Sequence, residues 1–136
     1  MNYMLDTNVC IKLLNLTSKP IAKRFQTIQR NEIVLCQIVK AELYFGAYKS
    51  QRQEANLRLL AEFFHATAIL SFDDQAAKRY GMLHAELDKS GSPIGQNDLQ
   101  IAAIAMRYGV TLVTHNMREF QRVPGLLLED WEEEGI

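Results

Sequence analysis

Short apolar runs alternate along this chain with longer stretches whose apolar residues recur every three or four positions. Tyr3-Met4-Leu5 is the first run, and Asp6-Thr7-Asn8 stops it. A short apolar run bounded by polar residues predicts a buried strand. Ile33-Val34-Leu35-Cys36, Ala68-Ile69-Leu70 and Val110-Thr111-Leu112-Val113-Thr114 predict three more, and Gly125-Leu126-Leu127-Leu128 a last one at an edge. Helices fill the intervals. Thr7 or Asn8 is expected to cap one that carries Val9, Ile11, Leu13 and Leu14. Thr17-Ser18-Lys19-Pro20 opens another, with Ile21, Phe25 and Ile28 at helical spacing. Ile38, Ala41, Phe45 and Tyr48 predict a helix straight after the second strand, with the stripe through Ile38 and Phe45 facing the sheet and Tyr44 and Tyr48 turned partly away. Leu57, Leu60, Ala61 and Phe64 mark the next. Asp73 or Asp74 starts a long helix with Ala77, Tyr80, Gly81, His84 and Leu87 on one face, closed by Gly91. Asn97 is expected to cap a helix through Ile101, Ala102, Ala105 and Tyr108 that Gly109 stops, and Arg118-Glu119-Phe120 a short helical turn.

This alternation predicts an α/β fold with a mostly parallel sheet covered by helices on both faces. The 136 residues fit one domain, 1–136. With 48% hydrophobic and 23% charged residues, the composition excludes a disordered chain. No apolar run approaches the ~18 residues of a membrane span. The start, Met1-Asn2-Tyr3-Met4-Leu5-Asp6, lacks the basic and apolar regions of a signal peptide, so a cytoplasmic protein is expected. Cys10 and Cys36 form no CxxC pair and are expected as reduced, buried thiols, and structural zinc is ruled out for want of ligands. Charge is uneven. Residues 7–58 carry a net +6 and residues 119–136 a net -5, which suggests a polyanionic partner for the first half of the chain.

In parallel sheets chemistry gathers beyond the carboxyl ends of the strands. Asp6 directly follows the first strand. Glu42 lies on the helix after the second, beside its apolar stripe. Asp98 heads the stripe of Ile101, Ala102 and Ala105, with Asn97 as the cap that leaves it free. Asn116 and Glu119 follow the strand ending at Thr114. Taken singly, Asp6 is as well explained by helix capping, Glu42 by an ion pair with Lys12 or Lys40, and Asn116 and Glu119 by turn chemistry. Taken together, the acids would repel one another unless a cation sat among them. Oxygen donors select a hard ion such as Mg²⁺ or Mn²⁺. Such an ion can activate water against a phosphodiester, so the spacing points to metal-dependent phosphate-ester hydrolysis. There is no GxGxxG or GxxxxGK[ST] phosphate cradle, and Gly91-Ser92-Pro93-Ile94-Gly95 is not a GxSxG elbow. His65 and His84 lie away from these acids, His84 reading as a core or interface residue. His115 is nearer but reads as a bystander.

Four segments carry a resemblance. They are Met4-Leu5-Asp6-Thr7-Asn8, the Glu42 region from Val39 to Ala47, Gly91 to Asp98, and Leu112-Val113-Thr114-His115-Asn116-Met117-Arg118-Glu119-Phe120. In this order they resemble the PIN-domain ribonucleases, and more narrowly the VapC toxins of bacterial type II toxin–antitoxin pairs, from Met4 to about Trp131. The resemblance implies a three-layer sandwich around a five-stranded parallel sheet. It implies an endoribonuclease dependent on Mg²⁺, or Mn²⁺, with tRNA as substrate. It implies a VapB-like antitoxin and a homodimer in the bacterial cytoplasm. Asp6, Glu42 and Asp98 match the family's central acids. Asp6 and Asp98 would hold the metal, with Glu42 as ligand or orienting base. Thr7, Asn8, Asn97 and Thr114 match supporting positions. Asn116 departs from the wider pattern, where an Asp is common, and Glu119 is the alternative source of that charge. A phosphorylated receiver domain is disfavoured, because Asp6 has no acidic neighbour and no Lys follows Thr114. A catalytically silent antitoxin-binding module is disfavoured by retention of all three acids.

Overall fold

The computed structural model describes residues 2–132. Among them, five strands form one sheet: β1 (Tyr3–Leu5), β2 (Ile33–Cys36), β3 (Ala68–Leu70), β4 (Thr111–Val113) and β5 (Leu128–Glu129). Their order is β3-β2-β1-β4-β5. Every pairing is parallel, so the sheet is wholly rather than mostly so. Tyr3 lies opposite Ile33 on one side and Thr111 on the other. β2 is buried at all four positions and β4 at all three, as strands covered on both faces must be.

The helices are α1 (Thr7–Leu14), α2 (Lys19–Gln26), α3 (Gln37–Lys49), α4 (Gln53–His65), α5 (Asp74–Ser90), α6 (Gln96–Tyr108) and α7 (Met117–Phe120). α6 is the most deeply set, burying Leu99 and the run Ile101 to Ala105. Three alanines in that run keep it thin enough to lie close to its neighbours. Left-handed glycines, Gly91 at φ 68° and Gly109 at φ 66°, end α5 and α6. None of the described helices is long and apolar enough to cross a membrane. Cys10 and Cys36 are free and buried, as expected.

Two helix faces differ from expectation. On α3 the inward stripe is Val39, Leu43 and Ala47, while Phe45 is 67% exposed. β2 runs into α3 without a loop, so Cys36 caps the helix and its phase is set by the strand. That phase turns Val39 inward and carries Phe45 outward with Tyr44 and Tyr48. On α5 the inward residues are Ala76, Leu83 and Leu87. Ala77 and His84 point outward, and His84 pairs with Asp88 instead of packing in the core.

The chain steps outward from β1 to β2 and β3, then returns past β1 to β4. The connections leaving the carboxyl ends of the adjacent strands β1 and β4 therefore run to opposite sides, to β2 and β5. Between them lies the crevice where open α/β sheets place their chemistry.

Candidate active site

Asp6 stands at that point. Its backbone N–H continues the sheet by donating to the Val113 carbonyl at 3.0 Å. Its side chain, not that of Thr7 or Asn8, caps α1, accepting from the Val9 N–H at 2.9 Å. The Thr114 hydroxyl also donates to it. Burial raises the Asp6 carboxyl above its ordinary range. The bonds from Thr114 and Val9 oppose that rise, and the charges of Glu42 and Glu132 add to it. Capping and facing the crevice are thus one position, not competing explanations.

Glu42 sits in the second turn of α3 and is clamped from two other elements. The Thr7 hydroxyl donates to its Oε1 at 2.5 Å, and the Asn97 amide to its Oε2 at 3.3 Å. The lysines suggested as its partners are engaged elsewhere. Lys12 pairs with Glu132, and the Lys40 ammonium lies 5.0 Å from the centre of the Phe64 ring. Asn97 is in the first turn of α6 and does not cap it, for Gly95 occupies the cap position. Its amide is thereby free to reach Glu42.

Asp98 lies one residue further along α6, half-buried. Burial is the main cause of its carboxyl being pushed up to about 7. Its hydrogen bond with Glu119 comes next, then repulsion from Glu119, Glu42 and Asp6. Glu119, on α7, takes the other half of that bond. Partial burial works to raise it. The Gly95 N–H at 2.7 Å, the Asn116 amide at 2.8 Å, Asp98 and the Arg122 charge together hold it below its ordinary value. The donors around Glu119 favour its charged form, while burial and neighbouring carboxylates favour the protonated form of Asp98.

The structure thus brings Asp6, Glu42, Asp98 and Glu119 into one electrostatically linked crevice. Asn116 spends its side-chain amide on Glu119 and its backbone N–H on the Thr114 hydroxyl at 3.0 Å, which makes it a support for Glu119. Asn8 is exposed on α1 and makes no hydrogen bond to these acids among the described residues. Sequence reasoning missed the Gly95 N–H as an anchor of Glu119, since a backbone donor leaves no side-chain signal. It also missed Glu132, whose charge reaches Asp6 from beyond the last strand.

The chemistry of this donor set suits a hard divalent cation. All four groups offer carboxylate oxygens. Among the described residues no Lys or Arg forms an ion pair with Asp6, Glu42 or Asp98. Their mutual repulsion, expressed in the raised Asp98 carboxyl, is what a cation would relieve.

A family model for the PIN domain matches residues 3–126. The Rickettsia felis "Ribonuclease VapC2" is 39% identical over 133 residues, covering 97% of this chain and 99% of that protein. The Salmonella typhimurium "tRNA(fMet)-specific endonuclease VapC" is 38% identical over 131 residues, covering 96% and 98%. Among solved structures, the VapBC2 complex of Rickettsia felis bound to a promoter DNA fragment superposes with a TM-score of 0.89 at 39% identity, over 96% of this chain and 99% of that one. The chain therefore belongs to the PIN-domain family, in its VapC ribonuclease branch. PIN-domain nucleases generally depend on divalent metal ions, in keeping with the oxygen-donor crevice.

Proposed function

We propose that this chain is the toxin of a type II toxin–antitoxin pair, a Mg²⁺-dependent endoribonuclease that cuts tRNA in the bacterial cytoplasm. The observation that carries the reading is the convergence of Asp6, Glu42, Asp98 and Glu119 at the switch point of the sheet, with no Lys or Arg ion pair to the first three among the described residues. Asp6 and Asp98 would hold the ion, with Glu42 and Glu119 beside them. Mn²⁺ satisfies the same donors. When bound, the ion supplies activation of water and neutralisation of charge on the phosphodiester. Glu42, clamped by Thr7 and Asn97, presents a fixed carboxylate to accept the proton of the attacking water. Thr114 holds Asp6, while Gly95 and Asn116 hold Glu119. The basic first half of the chain suits an RNA backbone.

The relatives named as VapBC complexes support a VapB-like antitoxin as partner. Two surfaces are available to an antitoxin and a second copy of the chain. One is the cavity of about 180 Å³ beside Glu42, lined by Ile11, Leu14, Leu43 and Leu59. The other is the exposed ridge of Tyr44, Phe45 and Tyr48 on α3. The test is cleavage of purified tRNA by the wild-type chain and by Asp98→Asn, with RNA ends sequenced. Site-specific cuts in Mg²⁺ that vanish in Asp98→Asn and on addition of the antitoxin support the reading. Identical cleavage by the two proteins contradicts it.

A further inference from the structure

Outside the crevice, a second group of ligand atoms gathers where β4 exits beside the segment after β5. The Thr114 N–H donates to the Glu129 carbonyl at 3.0 Å, which brings residues 130–132 alongside His115. Trp131 is buried against Tyr3, ring centres 5.7 Å apart, and anchors this turn between Asp130 and Glu132. The Glu132 N–H donates to Asp130 Oδ1 at 3.0 Å, leaving Oδ2 at 3.0 Å from His115 Nδ1. Lys12 holds Glu132 Oε1. Glu132 Oε2 lies 3.3 Å from the same Nδ1, is covered from solvent, and has no hydrogen bond. The Asp130 side chain is only 9% exposed.

We propose that His115 Nδ1, Asp130 Oδ2 and Glu132 Oε2 form a second cation site, of the type that takes Zn²⁺. The three atoms already lie within 4.8 Å of one another. A tetrahedral ion with bonds of about 2.1 Å spaces its ligand atoms about 3.4 Å apart. The nitrogen–oxygen separations of 3.0 and 3.3 Å need open by only tenths of an ångström. An imidazole with two carboxylates favours a borderline ion over Mg²⁺, which prefers oxygen alone. This separates the site chemically from the all-carboxylate crevice. Lys12 cancels one of the two negative charges, so an ion still meets a net attraction. His115 is 62% exposed, which provides an entry path and room for water to complete the coordination. The Asp130 backbone bond and Lys12 hold the carboxylates in place as outer partners. The ion would clip the two-residue strand β5 and the turn after it onto the exit of β4. The inference is independent of the nuclease reading.

The probe is Zn²⁺ itself. Calorimetry is run on the wild-type chain, on Asp98→Asn and on His115→Gln. Asp98→Asn, whose crevice has lost a carboxylate, should bind one equivalent, the wild type should hold the same high-affinity equivalent, and His115→Gln should weaken that equivalent by more than about tenfold. In parallel, side-chain ¹⁵N spectra of the wild-type chain should show the His115 Nδ1 resonance moving with Zn²⁺ while those of His65 and His84 stay. Equal Zn²⁺ affinity in His115→Gln overturns the proposal. If His115→Gln does not fold, the spectrum of the wild-type chain decides, and an unmoved His115 Nδ1 at saturating Zn²⁺ overturns it as well.

Discussion

Asp98→Asn should make the metal-free protein more stable at pH 8 while leaving it unchanged at pH 4. The Asp98 carboxyl stands at about 7 in the folded chain against 3.8 for an unperturbed one. Between those values the folded state binds more proton than the unfolded state, so stability falls as pH rises from about 4 to about 7. Above 7 the full penalty of a charged Asp98 remains. That rise from 3.8 to about 7 is worth ~4 kcal/mol at 1.36 kcal/mol per pH unit. Asp98 is half-exposed, and solvent screening reduces this to about 1–2 kcal/mol. Asparagine copies the protonated acid, since its amide can donate to Glu119 as the carboxyl proton does. For a chain of this size that gain corresponds to roughly 4–8 °C in Tm. The assay is thermal unfolding of both proteins in EDTA across pH 4–8, followed by circular dichroism. The Tm difference should open with pH, and divalent ion should narrow it by stabilising only the wild type. A constant difference, or a variant less stable at pH 8, would refute the reasoning that holding a charged Asp98 in this half-buried, acid-rich crevice destabilises the fold.

Cleavage of RNA should stop in excess EDTA and return with Mg²⁺; undiminished cutting in chelator contradicts a metal-dependent crevice. Glu119→Ala should cost more activity than Asn116→Ala, because Asn116 acts only by holding Glu119; kcat values in the reverse order would reassign the fourth position. Thr7→Val should lower kcat by roughly tenfold through loss of the 2.5 Å bond to Glu42, and Thr7→Ser should restore it; failure of the serine variant to rescue points to packing instead. The free chain should be a dimer by light scattering at micromolar concentration, with Phe45→Ala and Tyr48→Ala weakening it if α3 supplies the interface. A strictly monomeric wild type removes that use of the ridge.

The strands were legible because β1, β2 and β4 are short and apolar, and polar residues or glycine bound them closely. Helix existence was legible from spacing, but helix phase was not. α3 carries apolar residues on more than one stripe, and only the direct junction with β2 decides that Val39 and not Ile38 leads inward. That Asp6, Glu42 and Asp98 would face one crevice was legible from the rule that places chemistry beyond the strand ends. Their partners were not. Lys12 and Lys40 were candidate partners for Glu42 by charge, yet tertiary placement gives it the neutral donors Thr7 and Asn97, 35 and 55 residues away. Glu119 was ambiguous for the same reason. What distinguishes it from Asn116 is a backbone N–H from Gly95, which no side-chain pattern reports. His115 looked isolated because its companions at 130 and 132 lie across a strand pairing.

The place of β1 in the sheet has a consequence for synthesis of the chain. The first strand made is the central one, but its partner on one side, β4, begins with Thr111 opposite Tyr3. While the nascent chain emerges, β1 therefore has β2 for a neighbour and an open edge on its other side, and that gap closes only after most of the polypeptide has been translated. Pairings so distant in sequence form late. Asp6 donates its backbone N–H to the Val113 carbonyl, and Glu119 lies further on still, so the crevice is assembled last. A ribosome-bound fragment ending before β4 holds Asp6, Glu42 and Asp98 but lacks Thr114 and Glu119, the groups that complete their surroundings. A cell making this chain is thus exposed to an assembled crevice only from finished or nearly finished copies, and premature termination products carry none.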